Sequence, residues 1–204
     1  IYIEQHALGS DLTGFLKRWN GDGIITRQAN PESIKLLKRR HLAAIDLGDI
    51  HPHLGLLRIG SAQGTIGRMA AEHLLERGFE SFACCGFEGE HWSHRRRDGF
   101  IAEIGHAGFH TSVYESPRAG LQVWKRDQQR LVEWINSLPR PVGVFATNDM
   151  RGQHILDACA RLDLAVPEQV AVIGVDNDEL VCNLCNPPLS SIIPNPERIG
   201  FEAA

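Results

Sequence analysis

The stretch from Pro141 to Asp178, PVGVFATNDMRGQHILDACARLDLAVPEQVAVIGVDND, constrains the fold more than any other part of the chain. An apolar run, Val142–Ala146, leads straight into Thr147-Asn148-Asp149. Next comes a segment with Ile155, Leu156, Cys159 and Leu162 at helical spacing. A second apolar run, Val170–Val175, then leads straight into Asp176-Asn177-Asp178. Short unbroken apolar runs bounded by turn residues fit strands covered on both faces, as in parallel sheets flanked by helices. Neighbouring parallel strands end on the same edge of their sheet, and open α/β folds bind ligands at that edge. Two polar clusters are therefore expected in one crevice.

The same alternation continues through the rest of the sequence. Leu12, Phe15, Leu16 and Trp19 predict a helix over about Ser10–Trp19, capped by Ser10 or Asp11. Pro31 opens a second helix with Ile34 and Leu37 inward, and a third runs from Gly64 to a stop at Gly78. Further helices are predicted at Arg96–Ala107 and Lys125–Leu138. Strands are predicted at Gly23–Thr26, Leu42–Asp46, Leu56–Ile59, Ser81–Cys85, Thr111–Tyr114 and Ser190–Ile193, with loops at Gly48–Leu54 and Gly86–Ser93. A helix cap is expected at Pro194–Glu197. Strands alternating with helices define the α/β class with parallel sheets.

Composition excludes several functions. The 204 residues carry a net charge of −4, and the densest basic run, Arg95-Arg96-Arg97, is three residues long. That is a poor match for phosphate contacts, so this stretch is not expected to bind nucleic acid itself. No run approaches the roughly 18–20 apolar residues of a membrane span, and the N-terminus has no secretory pattern. Five cysteines at irregular spacing fit reduced, cytoplasmic thiols. The first residues, Ile1-Tyr2-Ile3, read as a strand already under way, and Ile199–Ala204 reads as an opening helix, so a fragment of a longer protein is expected.

Asp176-Asn177-Asp178 is the strongest candidate site, because a helix cap needs only one of its three polar groups. Asn148 reads equally as a ligand group or as a cap. An Asp and an Asn facing one crevice can accept from and donate to several hydroxyls, which suits sugar recognition. Asp149, Asn177 and Asp178 are expected in capping or supporting roles. Arg96 supplies a fixed fork able to bridge adjacent hydroxyls, whereas Arg95 and Arg97 read as solvated. Trp92 offers a stacking face for a pyranose ring, or simply core volume. The glycine run Gly60–Gly67 lies where a phosphate loop would lie but matches neither GxGxxG nor GxxxxGK[ST]. Cys182 and Cys185 lack a second pair for zinc, and Pro187-Pro188 follows where a redox motif would lead into a helix. His51, His53, His91 and His94 show no metal-ligand context, although a histidine near Cys84 or Cys85 would form a nucleophilic pair. No metal and no cofactor are expected.

Six segments together carry a resemblance: Gly21–Arg27, Ile66–Gly86, Arg96–Phe100, Val144–Asp149, Val166–Leu180 and Leu189–Ala204. They resemble the effector-binding domain of the lactose-repressor and periplasmic sugar-binding-protein superfamily. DNDEL followed by PPLSSIIPN is most similar to the group of xylose operon regulators, which carry an arabinose-regulator-type DNA-binding domain. The resemblance implies a type I periplasmic-binding-protein-like α/β fold, with two Rossmann-like lobes joined by a hinge. Residues 1–60 plus 194–204 would form an incomplete N-terminal lobe and residues 61–193 the C-terminal lobe, with the DNA-binding domain outside this chain. It also implies that Arg96, Asn148 and Asp176 contact the sugar from the C-terminal lobe, with Asp46 a remnant of the other lobe's share. Two positions depart from the family pattern: Ala62, where an Asp is frequent, and Pro194-Asn195, where a Gln is common.

The resulting expectation is a cytoplasmic, non-enzymatic domain of a homodimeric regulator, sensing a pentose such as xylose between the lobes. Two rivals are an exported solute-binding protein of a sugar transporter and a nucleotide-using α/β enzyme.

Overall fold

The computed structural model describes residues 12–27, 30–48, 55–117 and 121–204. The chain divides into two compact units, Ile1–Ser61 with Asn195–Ala204, and Ala62–Pro194.

In the first unit, helix α1 (Leu12–Leu16) precedes strand β1 (Gly23–Thr26), helix α2 (Pro31–Arg39), β2 (Ala43–Asp46) and β3 (Leu57–Arg58). The strands form a parallel sheet in the order β1-β2-β3. The start of α2 follows from its sequence. Asn30 Oδ1 accepts from Ser33 N at 2.8 Å, Ser33 Oγ accepts from Asn30 N at 2.9 Å, and Pro31 needs no donor at the first position. Leu16 and Leu37 are buried together with Ile24, Leu42 and Ala44 around them. Arg40 donates to the carbonyls of Leu16 and Trp19, which satisfies acceptors left open where α1 ends. The helix expected over Ser10–Trp19 is the shorter α1, and its candidate caps Ser10 and Asp11 lie outside the described residues, as do His51 and His53.

The second unit runs α3 (Gln63–Glu76), β4 (Phe82–Phe87), α4 (His91–His106), β5 (Thr111–Ser116), α5 (Leu121–Ser137), β6 (Val142–Ala146), α6 (Asp149–Arg161), β7 (Val170–Val175), α7 (Glu179–Leu184) and β8 (Ser190–Ile192). The chain then passes into α8 (Pro196–Ala203) of the first unit. The five strands are all parallel, in the order β5-β4-β6-β7-β8. Alternation along the strands builds two cores. Phe82 and Cys84 of β4 join Phe145, Ile173, and Ile66, Leu74, Phe100 and Ile104 of α3 and α4. Ala83 and Cys85 face the other way, onto Leu131, Ile135, Ile155 and Cys159 of α5 and α6.

Helices α3 and α4 lie backbone to backbone. A Cβ on Gly67 would fall 1.9 Å from the carbonyl oxygen of Arg96, and one on Gly99 would fall 2.2 Å from that of Gly64. Only glycine permits that approach. It brings the first turn of α3 against Arg96.

One expectation here needs correction, and one element is new. The loop expected over Gly86–Ser93 shrinks to Glu88–Glu90, because β4 continues to Phe87 and α4 begins at His91. Trp92 therefore stands on the first turn of α4, ahead of Arg96, which lies on the helix as expected; the polar residues around Trp92 conceal the helical period. Helix α7 was not anticipated. Cys182 is its only buried residue, while Leu180 and Leu184 are exposed, so it shows no apolar stripe.

A candidate binding site at the C-terminal edge of the five-stranded sheet

Arg96 is the hub of this edge. Its Nε donates to Gln63 Oε1 at 2.7 Å, its Nη1 to the Thr147 carbonyl at 2.7 Å, and its Nη2 to Asp176 Oδ1 at 3.2 Å. Three elements thus converge on one guanidinium: the start of α3, the end of β6 and the end of β7. Arg96 is 5% exposed, so these acceptors compensate the burial of its charge. The Asp176 side chain is 48% exposed and faces solvent as well as Arg96.

The Arg96 guanidinium carbon lies 5.1 Å from the centroid of the Trp92 ring. The indole N–H donates to Glu90 Oε2 at 3.0 Å, and Phe87 lies tilted against the indole at 6.0 Å. Beneath them, Ser93 Oγ accepts from the Phe87 N–H at 3.0 Å and meets Thr147 Oγ1 at 3.0 Å, which fastens α4 to β4 and β6.

Asn148 is the N-cap of α6. Its Oδ1 accepts from Arg151 N at 2.9 Å. The capping role read from its sequence position is therefore filled by the oxygen, which leaves the amide nitrogen as the group it can offer a ligand. Trp92 and Asp176 each contact Arg96, and Asn148 follows Thr147, whose carbonyl Arg96 holds.

Sequence reasoning passed over Gln63, Thr147 and a second buried cluster. Arg151, 1% exposed, donates from Nη1 to Asp127 Oδ2 at 3.0 Å. Asp127 Oδ1 in turn accepts from the Tyr114 hydroxyl at 2.7 Å. The Arg151 guanidinium also lies over Phe87 at 5.1 Å and Tyr114 at 5.8 Å. Burial pushes the Asp127 carboxyl up, but the Ser116 and Tyr114 hydroxyls and the Arg151 charge outweigh it and hold the carboxyl below its ordinary value. Gln63 had a faint signal, a polar residue at the head of an apolar helix. Asp127 and Arg151 belong to different helices and had none.

Other expected sites resolve differently. Gly64 and Gly67 serve the contact between α3 and α4. Ala62, at the position where the family pattern has an acid, is the N-cap of α3 and makes no side-chain capping bond. Asp46 is buried and accepts from the Gly48 N–H at 2.9 Å, closing its own loop. Arg97 is not simply solvated, since it bridges Asp98 at 2.7 Å and Glu115 at 2.5 Å.

A nucleophilic Cys84 or Cys85 is ruled out by surroundings. Both are fully buried, and burial pushes the Cys84 thiol well up and the Cys85 thiol up to about 11 despite the nearby Arg151 charge. Cys182 and Cys185 pack with Leu156 and Leu189 as a small apolar cluster, and all five thiols are free.

A parallel α/β unit that gathers polar side chains at the carboxyl ends of its strands has the layout of a small-molecule binding domain. The chain belongs to the family described as periplasmic binding protein-like domain, which it matches over residues 71–204. It is 34% identical over 213 residues to the xylose operon regulatory protein of Haemophilus influenzae, covering 100% of this chain and 54% of that protein. It is 31% identical over 205 residues to the HTH-type transcriptional regulator GntR of Pseudomonas aeruginosa, covering 100% of this chain and 55% of that protein. Among solved structures, the xylose-binding transcription activator xylR superimposes with a TM-score of 0.78 at 28% identity, over 91% of this chain and 51% of that one. The chain thus spans about half the length of the curated relatives it matches. No helix among the described residues is long and apolar enough to cross a membrane.

Proposed function

We propose that this chain is the sugar-binding effector domain of a transcriptional regulator, and that its effector is a pentose such as xylose. The observation that carries the proposal is the exposed half of Asp176, held against a buried Arg96 that is itself anchored through Nε to Gln63 and through Nη1 to Thr147. A carboxylate oriented in this way accepts hydroxyl protons, and a sugar supplies hydroxyls in pairs. The Asn148 amide nitrogen adds a donor from the adjacent strand end, and the Trp92 indole a flat apolar face. The names of two relatives, a xylose operon regulatory protein and a xylose-binding transcription activator, support the choice of sugar.

The domain performs no chemistry. The sugar shifts a conformational equilibrium through its differential affinity for the two states. DNA is contacted through a domain outside these residues, in a cytoplasmic homodimer. The test is calorimetric titration with D-xylose, D-ribose and L-arabinose, alongside ATP and NAD. Heat from a pentose that disappears in Asp176→Ala supports the proposal. Binding of nucleotides alone overturns it.

A further inference from the structure

Asp176 stands on unusual backbone. It and Asn177 are consecutive non-glycine residues with φ of +107° and +50°, in the region that side chains of L-residues disfavour. Such a turn persists only when its surroundings over-determine it. Here three successive backbone N–H groups are each taken by a different acceptor. Asp176 N donates to the Ile192 carbonyl at 3.0 Å, Asn177 N to Ser191 Oγ at 3.0 Å, and Asp178 N to Asp149 Oδ2 at 2.8 Å. Ser191 Oγ donates its own hydroxyl hydrogen bond to Asp149 Oδ1 at 2.6 Å.

Asp149 is not acting as a cap. The N-cap of α6 is Asn148 and that of α7 is Asp178, each with its own side-chain bond. Asp149 is the first residue of α6, 2% exposed, with both carboxylate oxygens turned across to the β7–α7 turn and β8. The sequence makes room for it: a Cβ on Gly174 would fall 2.4 Å from Asp149 Oδ1. A carboxylate only accepts, so it can take the Asp178 N–H and the Ser191 hydroxyl at once. Ser191 directs its one O–H at Asp149, so its oxygen accepts the Asn177 N–H.

We propose that Asp149, acting through Ser191, is a positioning residue. It holds the strained turn in the form that presents the Asp176 carboxylate to the effector, and so sets affinity without touching the ligand. This rests on the sugar-site reading, and the experiment separates the two.

Full-length protein is titrated calorimetrically with D-xylose, and melting temperature is recorded for every variant. Wild-type binding that is lost in Asp176→Ala upholds the sugar site; no binding by the wild type, or unchanged binding in Asp176→Ala, overturns the site itself. With the site upheld, Ser191→Ala is expected to weaken D-xylose by about tenfold, the scale of one charge-assisted hydrogen bond, and Asp149→Asn by more. Ser191→Thr, which keeps the hydroxyl, restores most of the affinity. In an Asp176→Asn background, Ser191→Ala adds little further loss, since the group it positions is already impaired. Wild-type affinity in both Ser191→Ala and Asp149→Asn overturns the inference. So does a Ser191→Ala penalty of the same factor in the Asp176→Asn background, which marks general destabilisation. If Asp149→Asn fails to fold, the Ser191 pair decides alone.

Discussion

Arg96 Nη2 lies 3.2 Å from Asp176 Oδ1, with one side chain 6% exposed and the other 48%. The pair is therefore asymmetric: the cation is buried and the anion is half exposed. Arg96 keeps two neutral acceptors, Gln63 Oε1 and the Thr147 carbonyl, when the carboxylate is removed. Asp176→Ala is expected to lose effector binding while costing about 1–3 kcal/mol of stability, because the buried Arg96 charge loses its anion but keeps its two neutral acceptors. Arg96→Ala is expected to cost about 3 kcal/mol or more, because it strips buried acceptors of their donors. Urea unfolding of the two variants beside the wild type tests the contrast. Equal losses would contradict the asymmetry.

Gly67 gives an independent handle on the same site. Its missing Cβ admits the Arg96 carbonyl, so Gly67→Ala must part α3 from α4 and draw Gln63 away from the Arg96 Nε. A cost of about 1–3 kcal/mol, typical of overpacking, is expected together with weakened effector binding. Gly64→Ala is the control, since a Cβ there meets nothing within 4 Å. Thermal melts and effector titrations of both variants measure the difference.

How much of this was legible in the sequence depends on the range of the interaction involved. Strands β6 and β7 run over the residues expected, because an unbroken apolar run between turn residues has one sensible reading. The helix start at Pro31 and the left-handed Gly78 at +78° are equally local. The period at the start of α4 was hidden by its polar residues, and α7 has a single buried position with no stripe to read. At the site, Asp176 could be named as a polar residue at a strand end, and Arg96 and Trp92 as residue types suited to a sugar. The hydrogen bond from Arg96 to Gln63, a residue 33 positions away, depends on two helices touching at Gly67 and Gly99. Nothing in a linear pattern encodes that contact.

The thiols provide a test of burial. Cys84 and Cys85 are inaccessible, and burial holds the Cys85 thiol near 11, so at pH 8 the nucleophilic thiolate is scarce as well as shielded. Burial and the nearby Asp149 carboxylate push Cys182 up to about 12. Native protein is expected to react with Ellman's reagent far more slowly than protein unfolded in guanidinium, where all five thiols should titrate. A rapid native burst assigned by mass spectrometry to Cys84 or Cys85 would contradict the packing of β4.

Arg151 and Asp127 set the pH response of the second unit. Both side chains are almost fully buried, 1% and 3% exposed, and their ion pair at 3.0 Å joins α6 to α5. The Asp127 carboxyl is held below its ordinary value, so its folded form favours ionisation more than the unfolded chain does. Its stabilising contribution is therefore fully present above the unfolded carboxylate range near pH ~4 and is lost as pH falls through the lower folded value. Asp127→Ala leaves the Arg151 charge buried without its counter-ion, at a cost of about 3–5 kcal/mol at pH 7. In the double variant Asp127→Leu with Arg151→Met the buried charge itself is gone, and the loss is expected to be smaller than for Asp127→Ala alone. Urea unfolding at pH 7 and at pH 3 reads both effects: the gap between wild type and Asp127→Ala should narrow at the lower pH. A gap that stays constant would show that Asp127 stabilises the fold by packing and neutral hydrogen bonds rather than by its charge.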